Sequence, residues 1–129
     1  MELKNKRPFF SFRRLRQSFV YAVQGIRFTW QREQNFRIHS VISLAVLILA
    51  QLLQVPYLEQ VMLLVVIGAV IGMELINTAL EHVVDLVVQS YDDRAKVIKD
   101  TAAGAVFIFS ITAAIIGLMI FIPHVIKWL

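Results

Sequence analysis

The sequence predicts an all-α integral membrane protein, with three transmembrane helices preceded by an amphipathic helix at the membrane interface. Three observations lead there. Hydrophobic residues fill 58% of the 129 positions, too many for a soluble domain of this length. Three long runs, 40–58, 60–73 and 101–123, carry no Asp, Glu, Lys or Arg. The cations are grouped: nine of the thirteen Lys and Arg lie before Ile38, three lie between Arg94 and Lys99, and one is Lys127. The length suits a single domain, 1–129.

Residues 1–8 are polar and read as disordered. From Phe12 an apolar series begins, Phe12, Leu15, Phe19, Val23, Ile26 and Trp30, with the spacing of an amphipathic helix over about 10–31. Arg13, Arg14, Arg16 and Arg27 lie outside or along the edges of that stripe, and Arg14 and Tyr21 share the polar face. Such a helix lies in the headgroup plane with its aromatics inward, and plain anchoring is its simplest role. The polar junction 31–39 leads into a first span of about 36–55. At about 1.5 Å per residue, the charge-free part crosses a hydrocarbon core of roughly 30 Å. Pro56 suits the first turn of the next helix, which runs over about 57–87 and projects past the membrane. Within it Gly68 and Gly72 form a GxxxG pair that permits close helix packing. A polar loop, 89–94, separates it from a third span of about 96–122. That span carries a run of small residues, Ala102, Ala103, Gly104 and Ala105, and ends at Pro123. His124, Lys127 and Trp128 beyond it fit an interfacial belt and a terminal cation.

The grouped cations place the N-terminus and the second loop, around 85–99, on the cytoplasmic side of a multi-pass protein in the cell membrane. The net charge of +4 reads as topology and attraction to anionic membrane lipid. Nucleic acid is a poor partner, because these cations are not built onto a recognition fold. Without cysteine there is neither a disulfide framework nor a thiolate metal site. The basic N-terminal part, which no short apolar core and small-residue cleavage site follow, does not read as a signal peptide.

The chemistry concentrates at the end of the second span. Glu74, Asn77, Glu81 and Asp85 fall at i, i+3, i+7 and i+11, within roughly 80° of helical arc. Carboxylates in a spanning helix cost about 2.5–3.5 kcal/mol each near the bilayer centre. Glu33 before the first span and Lys99-Asp100 before the third lie at the same depth. An oxygen-only set suits Mg²⁺ completed by substrate phosphates, with Glu33 and Glu81 as a sparse pair. Lys99 or Arg14 can neutralise phosphate, and the deeper Glu74 is placed to meet a lipid hydroxyl as a general base. His39 and His82 read as interface-facing polar residues rather than metal ligands, and Asp85, Asp92 and Asp93 as solvated or capping. There is no GxxxxGK[ST] loop and no protein-kinase motif set. Three spans cannot shield such a stripe from lipid on every side, which points to homo-oligomerisation. The competing reading is a non-enzymatic oligomeric ion-conducting or regulatory subunit. The apolar middle and outer parts of all three spans speak against a pore.

The ExxNxxxExxxD pattern of Glu74, Asn77, Glu81 and Asp85, followed by Lys99-Asp100 and the small-residue run, resembles the prokaryotic diacylglycerol kinase family. With Glu33, Asn35, Phe36, Arg37 and His39 the similarity covers about residues 12–122. The resemblance implies a homotrimer whose active sites are shared between neighbouring subunits. It implies ATP as co-substrate, Mg²⁺ as cofactor and a lipid alcohol as acceptor. By motif, Glu74 looks like the catalytic base and Asn77 a supporting residue. Glu33 and Glu81 look like metal-linked carboxylates that also touch ATP. Lys99 and Asp100 look like nucleotide contacts. Arg14 and Tyr21 match the family's surface helix, Arg14 facing lipid substrate as well as ATP. Ser90, Tyr91 and Asp92 occupy the nucleotide-side positions of the loop, where only the tyrosine is family-like. Arg37-Ile38-His39, Asn77-Thr78 and Asp85-Leu86 look more like the undecaprenol kinase branch than the diacylglycerol branch. Undecaprenol is thus the expected acceptor and diacylglycerol the alternative. A member that has lost catalysis is disfavoured by the retained site residues, and Asp85 falls to helix-end structure before chemistry.

Overall fold

The computed structural model describes residues 8–129 as four helices: α1 (Phe12–Arg32), α2 (Gln34–Leu52), α3 (Tyr57–Val87) and α4 (Asp93–Trp128). Of the segment expected to be disordered, residues 1–7 lie outside the described range. Helix α1 begins at Phe12 rather than near residue 10, because Ser11 is extended and its Oγ accepts from the Arg14 backbone N–H at 3.4 Å. Only Thr29 of α1 is buried, so its apolar stripe is not covered by the rest of the chain.

The junction between α1 and α2 is a single residue, Glu33, in extended conformation. The Arg37 guanidinium reaches back to the carbonyls of Trp30 at 2.9 Å and Gln31 at 3.2 Å. It thereby serves acceptors that the end of α1 leaves without an intrahelical partner. This tight break starts α2 two residues before the expected 36. At its other end α2 stops at Leu52, short of the expected 55. Gln54 adopts φ 51°, its N–H donates to Gln51 O at 3.1 Å, and the Val55 N–H donates to Ala50 O at 3.0 Å. That is a Schellman turn with glutamine where glycine is usual. Pro56 precedes α3 as its N-cap rather than sitting in its first turn. Asp92 caps α4, accepting from the Arg94 N–H at 2.8 Å.

Helix α4 does not stop at Pro123 but runs through it to Trp128. Proline removes one N–H from the ladder and disturbs the preceding turn. The carbonyl that loses its ladder donor is that of Met119, and His124 Nδ1 lies 2.7 Å from Ile120 O in the same turn. Proline is tolerated in spanning helices, where neighbouring groups and local adjustment accommodate the freed carbonyl.

Helices α2, α3 and α4 run antiparallel in sequence, with α3 and α4 in the most extensive contact and α1 touching α2 and α3. At one end Gln51 bonds Gln60 at 2.7 Å and His124 approaches Glu59 at 3.8 Å. At the other end His39 meets Glu74, and Lys99 pairs with Asp85. The dry core, Ala50, Val55, Leu63 and Ile120, lies at the first end. Elsewhere large apolar side chains such as Leu44, Ile48, Val65, Ile108 and Ile115 point outward. Helices that satisfy their own backbone and show apolar side chains outward are built for hydrocarbon. All of α2, α3 and α4 are long and apolar enough to cross a membrane, and the chain is a membrane protein. A Cβ added at Gly68 or Gly72 would meet nothing within 4 Å. The GxxxG pair is therefore not used for close packing inside the chain.

Candidate functional site

Glu74 sits on α3 with 3% of its surface exposed. Its Oε1 lies 3.2 Å from Nε2 of His39 on α2. Glu33, at the α1–α2 break, and Glu81, two turns further along α3, are near enough to act on Glu74 as like charges. One turn past Glu74, Asn77 donates from Nδ2 to Glu81 Oε1 at 2.9 Å. This bond holds Glu81 by a residue on its own helix face, as expected for neighbours four apart.

These groups border a cavity of about 320 Å³ lined by Asn35 and His39 of α2, Glu74 and Asn77 of α3, and Ala103, Val106, Phe107 and Ser110 of α4. Two polar atoms of its lining residues, Asn77 Oδ1 and Ser110 Oγ, are buried with no hydrogen-bond partner. Buried polar groups are almost always paired, so such atoms mark a place where a polar ligand can bind. His39 and Ser110 also line a second, larger cavity of about 470 Å³ that extends along the spans. Its other walls are almost entirely apolar, among them Ile42, Val46, Val70, Gly117 and Phe121.

A third cavity, of about 340 Å³, lies at the turn between α3 and α4 and is lined by Asp85, Ser90, Tyr91, Asp92, Lys99 and Asp100, among others. Lys99 is paired with Asp85 across the two helices, and Lys96 with Asp100. Arg94 contacts Asp92 through side chain and backbone, and holds that carboxyl below its ordinary pKa. The Tyr91 hydroxyl donates to Asp93 Oδ1 at 2.8 Å, which raises the phenol above its ordinary value. Asp92 is thus a helix cap as well as part of the cavity wall.

The structure brings Glu74 and Asn77 into one cavity, ties Asn77 to Glu81, and gathers Ser90, Tyr91, Asp92, Lys99 and Asp100 in another. It does not bring Arg14 or Tyr21 to either. Arg14 lies in the first turn of α1, its guanidinium bonded to the Pro8 carbonyl. It stands nineteen residues before Glu33, about 28 Å along the chain as helix. Tyr21 lines a separate cleft between α1 and α3 with Thr78 and His82. His82 is engaged there, Nδ1 2.8 Å from Thr78 O and its ring edge-on to Phe28. Among the described residues no three His, Asp or Glu side chains gather as a metal cage.

Three polar lining residues, Asn35, His39 and Ser110, have no site role in the sequence reading. Asn35 and His39 enter the family resemblance, and His39 otherwise reads as interfacial polarity. Ser110 was not singled out at all, although it lies eleven residues after Lys99 and seven after Ala103 and so shares their helix face.

The family model described as prokaryotic diacylglycerol kinase matches residues 20–121. An undecaprenol kinase of Bacillus subtilis is 43% identical over 107 residues, 83% of this chain and 87% of that protein. A diacylglycerol kinase of Synechocystis is also 43% identical over 107 residues, 82% of this chain and 61% of that protein. A diacylglycerol kinase of Escherichia coli K12 is 30% identical over 113 residues, 88% of this chain and 93% of that protein.

Proposed function

The chain belongs to the prokaryotic diacylglycerol kinase family, and from that premise we propose that it moves the γ-phosphoryl group of ATP to undecaprenol. Lipid kinase activity is the property common to the relatives' names. The observation that carries a lipid-alcohol acceptor is the pair of cavities that share His39 and Ser110, and similarity to an undecaprenol kinase favours undecaprenol among such alcohols. A buried carboxylate and two unpartnered polar atoms border the small cavity, and an almost wholly apolar groove continues from it past His39 and Ser110. That is the shape of a site for one hydroxyl on a long hydrocarbon chain.

Glu74 takes the hydroxyl proton as the acceptor oxygen bonds to the γ-phosphorus and the bond from that phosphorus to the ADP oxygen breaks. The products are the lipid monophosphate, ADP and one proton. Asn77 steadies Glu81. Lys99 exchanges Asp85 for phosphate oxygens, and Ser90, Tyr91, Asp92 and Asp100 border the nucleotide. Glu33 and Glu81 would hold Mg²⁺, which would offset phosphate charge.

The nucleotide cavity and the Glu74 cavity are separate within one chain, and Arg14 reaches neither. This separation supports a homotrimer with active sites completed by neighbouring subunits. Glycines with open space around them and the uncovered stripe of α1 leave surface for that contact and for the membrane interface. The cations at the N-terminus and at 94–99 support a site on the cytoplasmic face of a bacterial cell membrane. Purified protein supplied with labelled ATP, Mg²⁺ and each lipid separately tests the reading. Faster labelling of undecaprenol is expected. Faster labelling of diacylglycerol would change the acceptor, and labelling of neither would remove the kinase function.

A further inference from the structure

We propose that His39 is the positioning residue for Glu74: the 3.2 Å contact of its Nε2 with Oε1 turns the other carboxylate oxygen towards the acceptor hydroxyl. This rests on the kinase reading above. The terminal torsion of a glutamate is broad and roughly two-fold, so a buried carboxylate without a fixed partner is not aimed. Asn77, the nearest polar neighbour on the same helix, is committed to Glu81. Among the described residues the polar side chain in contact with Glu74 is His39, at 3.2 Å and from another helix. His39 also stands where the polar cavity meets the apolar groove. It therefore fixes the carboxylate at the point where the head of a long-chain alcohol enters. Misplacing a reacting group by about 1 Å can cost about 10²-fold in rate.

The test compares three substitutions in the full-length protein. His39→Gln keeps an amide N–H at the position of Nε2. His39→Asn keeps the amide but falls short of Glu74. His39→Leu removes the donor. We expect kcat to fall by about tenfold or more in the Asn and Leu variants, with KM for ATP within about twofold, and to recover most of the way in the Gln variant. A Gln variant as slow as Asn, or Asn and Gln variants both as fast as the wild type, would overturn the proposal. The two amides are equally polar, so their contrast survives if the Leu variant does not fold. A wild-type protein inactive on any lipid alcohol would instead remove the kinase reading, and this proposal with it.

Discussion

Glu74→Gln isolates the proton-accepting role of one oxygen pair. The amide is the same size as the carboxylate, and its Oε1 can keep the 3.2 Å contact with His39. With the residue only 3% exposed, a change of shape here would disturb packing, and this substitution avoids it. The fold and the helix contacts therefore persist while the base is gone. Positioned general bases contribute about 10²–10⁴ in rate, equivalent to about 2.7–5.4 kcal/mol of barrier. Turnover should fall by that factor. ATP affinity should change little, because Glu74 borders the Asn77–Ser110 cavity and not the one containing Lys99. Initial rates with labelled ATP, set beside calorimetric titration of ATP, read the two effects apart. A variant within a few-fold of the wild-type rate refutes the assignment of Glu74 as base.

Glu81→Gln should raise the Mg²⁺ concentration needed for half-maximal rate several-fold, measured by titrating the ion at saturating ATP. Asp85→Asn breaks an ion pair whose side chains are 35% and 64% exposed; surface pairs are worth about 0–1 kcal/mol, so detergent-solubilised protein should lose little thermal stability. Gln54→Gly should raise stability by about 1 kcal/mol, seen as a higher unfolding midpoint, because glycine accepts the left-handed conformation that costs other residues about 1–2 kcal/mol.

The spanning helices were legible because each is a long apolar run with polar ends, and helices that bury their own backbone are the simplest solution in lipid. The acidic stripe was legible too, since Glu74, Asn77 and Glu81 lie on one helix and helical spacing alone brings them to one face. Helix ends were less so. Gln54 gives no glycine signal for the turn it makes, and Pro123 reads as a stop although the backbone runs on with His124 attending a carbonyl. The contact of His39 with Glu74 depends on how α2 is rotated and shifted against α3. No spacing within either helix encodes that. Ser110 shows the same limit, since its face could be read but not what the face lines.

The most direct measurement gives the purified protein both lipids at once. Vesicles containing equal amounts of undecaprenol and diacylglycerol are incubated with labelled ATP and Mg²⁺, and the two phosphorylated products are separated and counted. Undecaprenyl phosphate should carry most of the label. Label found chiefly in phosphatidic acid, or in neither product, would contradict the account.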